Sequence, residues 1–334
     1  MKSKFDVDMK MILDQYAKFN APPLETLSVE NARNLPTLKN AVEELMAENP
    51  AIRATTLVKP MPQPVKISHH LIPGPQGDIL ARVYIPDGEG PFPVLVYFHG
   101  GGWVIANLDV YEPSCRALCK KAKSVVVSVA YRQAPEHKYP AAVDDAYAAT
   151  QWVIVNASIF NGNPDQVAVC GESAGGNLAT VTCLKARDER GRMPAAQVLI
   201  YPVIDARMKA YSYKENSDTA PLNSAMMPWF WKHYLQGEIQ GLEPYASPIM
   251  AQNLSGLPPA IIITAEHDPL RDEGEAYAAR LVDAGVPVRG KRYNGVSHEF
   301  FGLAGLVHKA GLAVQESADG LREIFNGLTV HHES

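Results

Sequence analysis

The amino-acid sequence predicts an α/β fold with a roughly eight-stranded, mostly parallel sheet that is flanked by helices. From Met61 onward, short apolar runs alternate with helical patterns, which is typical of right-handed strand–helix–strand crossovers. Several runs, such as Val125-Val126-Val127 and Ile261-Ile262-Ile263, are apolar at consecutive positions, as expected of parallel strands buried on both faces. A length of 334 residues with 46% hydrophobic content is sufficient for one large core.

The sequence pattern of the N-terminal segment predicts two helices with a break between them. The first helical face consists of apolar residues at i, i+3, i+4 and i+7, namely Met9, Ile12, Leu13 and Tyr16. The pair Pro22-Pro23 then breaks the pattern, because proline cannot continue a helix. A second helical pattern follows, with Ser28 as its expected N-cap.

The main part of the chain predicts alternating strands and helices. The expected strands are residues 65–72, 79–85, 94–98, 125–131, 167–170, 198–201, 261–264 and 288–293. The expected helices between them are residues 112–121, 141–155, 174–187 and 273–284. Residues 206–241 interrupt the alternation with a run rich in methionine and aromatic side chains. An aromatic helix inserted at this point is interpreted as a lid.

Composition and charge argue against several classes of protein. The 31 basic and 36 acidic residues give a net charge of −5, so no nucleic acid partner is expected. The N-terminus has no apolar signal region and no run approaches the length of a membrane span, so the expected location is the cytoplasm. The cysteines at positions 115, 119, 170 and 183 match no redox or zinc pattern and are expected to be reduced thiols.

The segment Gly171-Glu172-Ser173-Ala174-Gly175-Gly176 contains a G-x-S-x-G pattern after an apolar strand and before a helix-forming run. This context is typical of a nucleophile elbow, in which serine occupies a strained turn and the flanking glycines avoid clashes with neighbouring backbone. The start of the next helix favours negative charge that develops nearby. Ser173 is therefore the expected nucleophile, and the alternative is a glycine-rich turn that contains serine by chance.

A second glycine-rich segment, His99-Gly100-Gly101-Gly102-Trp103, follows the expected strand at 94–98. Consecutive glycines leave backbone N–H groups unobstructed, and an acyl-transfer site needs such donors about 3 Å from the developing oxyanion. The segment therefore suits an oxyanion loop. A phosphate-binding loop is set aside, because neither G-x-G-x-x-G nor G-x-x-x-x-G-K-[ST] is present in this segment.

These two motifs and three further stretches resemble the hormone-sensitive-lipase-like branch of the α/β-hydrolase fold, the bacterial carboxylesterases. The further stretches are Tyr131-Arg132-Gln133-Ala134-Pro135-Glu136-His137, Asp268-Pro269-Leu270-Arg271-Asp272-Glu273 and Gly295-Val296-Ser297-His298. The resemblance covers nearly all of the chain. The sequence departs from the family at Gln133, where leucine is usual, and has Glu172 where aspartate is also frequent.

The family pattern identifies Asp268 as the acid and His298 as the base that act with Ser173. The sequence supports Asp268 independently, because loops that follow parallel strands converge on one edge of the sheet. The alternative acid, Asp272, lies one helical turn further on and is interpreted as a helix-start carboxylate. His298 follows the last expected strand, and the order Ser173, Asp268, His298 is that of this fold.

The resemblance also implies the surroundings of this triad. The expected oxyanion donors are the N–H groups of Gly101, Gly102 and Ala174, and the residues that shape the loop are His99 and Gly100. Residues 1–45 and 206–241 would form a cap over a catalytic domain of residues 46–205 and 242–334. Candidates for the pocket wall, with core packing as the alternative, are Trp103, Tyr201, Trp229, Phe230 and Trp231, and also Leu24 and Asn107. No metal or organic cofactor is expected.

The expected activity is that of a serine carboxylesterase whose partners are a small-molecule ester and water. Short to medium acyl chains are expected, because a cap narrows access to the site. An amidase or lactonase with the same triad remains open, as does a ligand receptor of this fold, although His298 argues against the receptor. Pairing of the strand at 288–293 would give a homodimer. Arg132, Glu136, Asp144 and Asp145 are expected to form a structural ion network.

Overall fold

The structure is a computed structural model that describes residues 4–49 and 66–327. The strands of its sheet are β1 (Lys66–Gly74), β2 (Gly77–Ile85), β3 (Phe92–Phe98), β4 (Val125–Val129), β5 (Gly162–Glu172), β6 (Gln197–Ile200), β7 (Ala260–His267) and β8 (Val288–Ser297). Within the described residues they form one sheet in the order β1-β2-β4-β3-β5-β6-β7-β8. The pairs β1–β2 and β2–β4 are antiparallel, and the others are parallel.

Helices precede the sheet, pack against it and form the insert. In chain order they are α1 (Val7–Ala17), α2 (Val29–Arg33), α3 (Leu38–Glu48), α4 (Glu112–Ala122), α5 (Ala141–Asn156), α6 (Ala174–Asp188), α7 (Tyr211–Glu215), α8 (Met226–Tyr234), α9 (Arg271–Asp283) and α10 (His308–Phe325). The Ser28 side chain accepts the N–H of Asn31 and so caps α2, as the sequence predicts. None of the helices in the described ranges is both long and apolar enough to cross a membrane.

The eight expected strands are all present, which confirms the α/β prediction, although residue 65 lies outside the described residues. Several strands extend beyond their apolar runs, among them β5 and β8. β5 begins at Gly162, which pairs with Phe92, and β8 continues to Ser297. Backbone pairing defines these extensions, and their polar side chains carry no apolar signal that could be read from the sequence.

Side chains of the central strands alternate between two hydrophobic cores, one on each face of the sheet. In β3, Val94, Val96 and Phe98 belong to one core, whereas Leu95 and Tyr97 belong to the other. β4 divides in the same way. Because successive strand residues point to opposite faces, a continuous apolar run is what a strand buried on both faces requires.

The insert at residues 206–241 contains the two short helices α7 and α8 rather than one long aromatic helix. Trp229 on α8 donates its indole N–H to the carbonyl of Leu27 at 3.2 Å, which joins the insert to the N-terminal segment. The buried aromatic side chains of α8 belong to the same hydrophobic core as one face of the sheet. The insert is therefore continuous with the body of the molecule.

The prediction of one ion network that contains Arg132, Glu136, Asp144 and Asp145 is wrong. Arg132 binds the buried Asp145 through Nε at 2.8 Å and Nη2 at 2.7 Å. Glu136 instead pairs with an arginine of α2 at 2.7 Å, and Asp144 pairs with a lysine of α6 at 3.2 Å. Neighbouring residues of a helix point in different directions, so Asp144 and Asp145 reach different partners.

All four cysteines are free thiols, which confirms the expectation from their spacing. Each is buried, including Cys115 and Cys119 on α4. Burial raises the pKa of the Cys119 thiol to about 12, and it raises those of the other three as well. These thiols therefore stay protonated and act as small core residues.

Candidate active site

Ser173 lies on a tight turn between β5 and α6. Its φ angle is 56°, in the left-handed region that residues other than glycine rarely adopt. The turn is possible because its neighbours lack side chains: a Cβ at Gly171 would overlap the carbonyl of Gly175, and a Cβ at Gly175 would overlap the carbonyl of Phe98. Ser173 is 6% exposed, so its hydroxyl is nearly enclosed at the carboxyl edge of the sheet. This is the backbone arrangement of a nucleophile elbow.

Two hydrogen bonds connect Ser173, His298 and Asp268. Nε2 of His298 lies 3.0 Å from Oγ of Ser173, and its Nδ1 lies 2.7 Å from Oδ2 of Asp268. Oδ1 of Asp268 accepts the N–H of Leu270 at 2.8 Å, which fixes the carboxylate. Each of the three residues directly follows the last residue of a strand, β5, β8 and β7 respectively. The ends of parallel strands thus bring together residues that are far apart in the sequence.

The buried imidazole of His298 has a pKa above its ordinary value. Burial by itself disfavours the imidazolium, but the charge and the hydrogen bond of Asp268 outweigh this effect. The carboxylates of Glu299 and Glu172 act in the same direction. A proton that arrives on Nε2 is therefore stabilised by the negative charge around the ring.

The predicted oxyanion loop, residues 99–103 and called the oxyanion loop below, follows β3 and has backbone conformations that require glycine. Gly101 and Gly102 have φ angles of 96° and 57°. A Cβ at Gly101 would overlap the carbonyl of Ile105, and a Cβ at Gly102 would overlap the ring of Phe230 on α8. The loop is therefore enclosed by backbone on one side and by the insert on the other.

The start of α6 packs directly against this loop. A Cβ at Gly175 would lie 2.6 Å from the carbonyl oxygen of His99, so the two backbones are nearly in contact. Ala174 is the first residue of α6, and N–H groups of a first helical turn have no partner within the helix. The predicted donors on the loop and on the helix thus belong to adjoining segments.

His99 and Tyr131 hold the first part of the oxyanion loop. Nδ1 of His99 lies 2.7 Å from the carbonyl oxygen of Gly100, and the Tyr131 hydroxyl donates to the carbonyl of His99 at 2.8 Å. The two rings stack with centroids 4.4 Å apart. Burial lowers the pKa of His99 to about 4, so its ring is neutral near pH 7. His99 contacts the loop as a neutral hydrogen-bonding group.

Two side chains bind residues 104–106, the segment that follows the oxyanion loop. Gln133 donates through Nε2 to the carbonyls of Ile105 and Ala106, at 2.8 Å and 3.2 Å. Arg33 on α2 donates through Nε to the carbonyl of Val104 at 2.9 Å. Gln133 could be singled out from the sequence, because leucine is usual at this position in the family. The sequence contains no comparable signal for Arg33.

Glu172, the residue before Ser173, is buried among tyrosines. The hydroxyls of Tyr97 and Tyr201 donate to its two carboxyl oxygens. Burial raises the pKa of Glu172 and outweighs these hydrogen bonds. Tyr201 also packs against the ring of His298, with centroids 4.6 Å apart. Tyr201 is fully buried, so it supports the histidine from inside and does not form the predicted pocket wall.

A cleft of about 840 Å³ lies beside the oxyanion loop. Gly101 forms part of its wall, together with Leu24 and Asn107. Met226 contributes from the insert, and Glu299 contributes from the segment after β8. The N-terminal segment and the insert therefore both border the space next to the loop.

Core packing accounts for most of the aromatic residues that were candidates for the pocket wall. Trp103 is fully buried and stacks on Tyr234, with ring centroids 4.1 Å apart. Trp231 packs against Trp103 at 4.7 Å. The prediction of a pocket wall is wrong for these two tryptophans, because they fill space between α8 and the loop. Trp229 faces the N-terminal segment, whereas Phe230 covers the oxyanion loop.

Asp272, the alternative acid, has other partners. Its Oδ2 accepts the N–H of Ser212 at 2.8 Å, and its Oδ1 accepts Nε of Arg271 at 2.8 Å. It lies in the first turn of α9, where a carboxylate is favourable. Asp268, and not Asp272, is the carboxylate that contacts His298.

Known proteins are similar to this chain over most of its length. A family model described as "alpha/beta hydrolase fold" matches residues 95–302. Carboxylic ester hydrolase LipN of Mycobacterium tuberculosis is 41% identical over 296 residues, which cover 86% of this chain and 77% of that protein. Carboxylesterase NlhH of the same species is 41% identical over 249 residues, which cover 73% of this chain and 78% of that protein.

Solved structures of esterases have the same fold. A hyperthermophilic esterase from the archaeon Pyrobaculum calidifontis superposes with a TM-score of 0.85 at 38% identity, over 97% of this chain and 99% of that one. The thermostable carboxylesterase EstE1, cloned from a metagenomic library, has a TM-score of 0.78 at 36% identity, over 90% and 98% of the two chains. The chain therefore belongs to the alpha/beta hydrolase fold family, in its hormone-sensitive-lipase-like branch of carboxylic ester hydrolases.

Proposed function

We propose that this chain is a serine carboxylesterase that hydrolyses esters of short to medium acyl chains through an acyl-enzyme intermediate. The observation that carries the proposal is the pair of hydrogen bonds made by His298, to Ser173 at 3.0 Å and to Asp268 at 2.7 Å. A nucleophile, a base and a carboxylate that orients the base are the groups that acyl transfer to serine requires.

In the acylation step, Oγ of Ser173 attacks the ester carbonyl carbon while Nε2 of His298 accepts the hydroxyl proton. Asp268 keeps the other ring nitrogen protonated and stabilises the imidazolium. The oxyanion of the tetrahedral intermediate accepts hydrogen bonds from the N–H groups of Gly101, Gly102 and Ala174. His298 then donates its proton to the departing alcohol, and the acyl group remains on Ser173.

Deacylation repeats the same steps with water as the nucleophile. His298 removes a proton from a water molecule, which attacks the acyl carbon. The tetrahedral intermediate collapses, the bond to Oγ of Ser173 breaks, and His298 returns the proton to Oγ. The products are a carboxylic acid and free enzyme.

The surroundings of the oxyanion loop support a limit on acyl length. In this proposal, residues 1–45 and 206–241 form the cap, to which Leu24 and Met226 on the cleft wall belong. The ring of Phe230 lies directly against Gly102 and fills space beside the expected carbonyl position. A bulky ring at this point favours acyl chains of short to medium length.

The direct test is the initial rate of hydrolysis of p-nitrophenyl esters across a series of acyl lengths. The wild type is expected to be most active on short or medium chains, and Ser173→Ala is expected to lose at least about a thousandfold in kcat. Ser158→Ala changes an exposed serine and serves as the matched control with wild-type rates. A silent wild type, or an active Ser173→Ala variant, contradicts the proposal. Preference for amides or lactones would assign the same triad to a different substrate class.

We also propose that two copies of the chain pair through β8. This strand is at one edge of the sheet, so its outer backbone groups can extend the sheet across a two-fold axis. Arg289 and Lys291 on β8 both contact Glu316 on α10, so these charges are balanced within one copy. Sedimentation at micromolar concentration is expected to give the mass of a dimer, and a monomeric mass contradicts this part of the proposal.

A further inference from the structure

Glu299 occupies a position between two cavities, directly after His298. Its φ of 64° is in the left-handed region. Its side chain is part of the wall of the 840 Å³ cleft, which it shares with Gly101, and part of the wall of a second cavity of about 400 Å³. The second cavity is largely apolar, with Val42 and Leu303 among its walls. A carboxylate therefore adjoins both the oxyanion loop and a space suited to alkyl groups.

The position of the Glu299 carboxylate is held by Tyr111. Oε1 accepts the Tyr111 hydroxyl at 3.0 Å. A Cβ at Gly100 would overlap the same hydroxyl, so Tyr111 connects Glu299 to the oxyanion loop. The charge of Glu299, in addition to burial, contributes to raising the pKa of Tyr16 to about 12. The carboxylate thus acts on groups around the cleft.

Within the part of the chain that the structure describes, no lysine or arginine neutralises this negative charge. Among residues 4–49 and 66–327, Glu299 forms no ion pair. The cationic side chains on the two walls have carboxylate partners of their own, in the pairs Arg33–Glu136, Lys39–Glu43 and Arg116–Glu112. A cationic group of a substrate can therefore interact with Glu299 without displacing an existing ion pair.

The leaving alcohol of an ester has to lie beside Nε2 of His298, because it receives its proton there. Glu299 is the next residue and faces the same cleft as the oxyanion loop. We propose that Glu299 determines specificity for the alcohol part of the substrate and favours cationic alcohols, such as quaternary ammonium alcohols, over neutral alcohols of the same shape. The inference rests on the proposed esterase function. The apolar cavity beyond the carboxylate suits the alkyl groups of such a cation.

Two acetate esters of nearly the same shape test the inference. Acetylcholine carries a quaternary nitrogen where 3,3-dimethylbutyl acetate carries a carbon atom. The quantity measured is the ratio of kcat/KM for the cationic ester to kcat/KM for the neutral ester, from acid release at constant pH. Glu299→Gln and Glu299→Ala are expected to lower this ratio about tenfold relative to the wild type, since each removes one charge–charge interaction at a partly exposed position. Glu299→Asp keeps the charge and is expected to keep the ratio within about twofold of the wild type.

Each outcome of this comparison has one meaning. A ratio taken within one variant cancels a general loss of activity or of folded protein, and two neutral variants protect against the failure of either one to fold. An unchanged ratio in both neutral variants overturns the inference and leaves the esterase proposal intact. An equal fall in Glu299→Asp would assign the effect to side-chain shape and also overturns it. If the wild type hydrolyses neither of these esters nor any p-nitrophenyl ester, the proposed function fails and the inference fails with it.

Discussion

At the scale of single residues, some groups of the site could be identified from the sequence and others could not. Ser173 and Gly175 could be identified because a tight turn requires glycine at fixed positions around the serine. This constraint involves only residues that are close in the sequence. His298 could be identified because it ends a segment, residues 295–298, that resembles the family. The contacts of Arg33 and Glu299 could not be identified from the sequence, because they depend on where distant segments meet in the fold.

In the proposed mechanism, the pKa of His298 determines how the rate depends on pH. Only the neutral ring can accept the proton of Ser173, and Asp268 outweighs burial to keep the pKa of His298 above its ordinary value. We expect kcat/KM to fall as the pH decreases through a value above about 6.5, the ordinary pKa of histidine. The measurement is the pH profile of kcat/KM on p-nitrophenyl acetate. A wild-type profile that is flat down to about pH 5 contradicts this account.

The same profile in Asp268→Asn separates the charge of the carboxylate from its position. The substitution is expected to lower kcat by about ten-thousandfold, because the amide no longer holds the productive tautomer of His298. The acid limb of the profile should also move to lower pH, since the main charge that raises the pKa of His298 is gone. An acid limb that does not move would show that Asp268 has no part in setting this pKa.

Glu273 is expected to make the stability of the protein, and not the rate, depend on pH. It accepts the N–H of Ile204 at 2.7 Å and the hydroxyl of Tyr213 at 3.0 Å, but burial dominates and raises its pKa from 4.5 to about 8. A carboxyl whose pKa is raised by folding stabilises the protein at low pH, and this stabilisation is lost between the unfolded and the folded pKa. We expect the Tm of the wild type to decrease from pH 5 to pH 8 more steeply than that of Glu273→Gln, measured by calorimetry. Parallel Tm curves for the two proteins would rule out this role for Glu273.

At the scale of elements, the site depends on the close approach of β3, β5 and α6. The ends of β3 and β5 are paired in parallel, and α6 starts one residue after Ser173. The oxyanion loop and the nucleophile turn therefore leave the sheet side by side. These elements could be predicted from the sequence, because their apolar residues follow the pattern of a buried strand or of a helix. For the insert, only the apolar character could be predicted. The spacing of its aromatic residues does not indicate which neighbouring element they pack against.

Gly175→Ala tests this close approach. The new methyl group would overlap the carbonyl of Phe98, so either α6 or the oxyanion loop has to move. We expect a loss of stability of about 2–4 kcal/mol and a fall in kcat/KM of more than tenfold, measured by urea unfolding and ester hydrolysis. Gly290→Ala is the matched control, because a Cβ at this glycine of β8 has no atom within 4 Å. Equal stability and activity in the two variants would contradict the packing described for the elbow.

At the scale of the whole molecule, the fold class and the mostly parallel sheet could be predicted, but the long-range contacts could not. Strands buried on both faces produce continuous apolar runs, and the alternation with helices implies a parallel sheet. The chain also contains contacts such as that between Arg33 and Val104, which are 71 residues apart. Such contacts leave no periodic pattern. The cluster of Trp103, Trp231 and Tyr234 could not be predicted either, because composition alone does not distinguish a core from a pocket wall.

In the proposed mechanism Ser173 forms a covalent bond to the acyl group, and covalent labelling tests this bond most directly. Diethyl p-nitrophenyl phosphate transfers one diethyl phosphoryl group to an activated serine, and intact mass followed by peptide mapping shows how many groups are added and where. One group per chain is expected, located on Ser173, with loss of esterase activity in proportion to labelling. Labelling at another residue, or complete labelling with full activity, would contradict the assignment of Ser173 as the nucleophile.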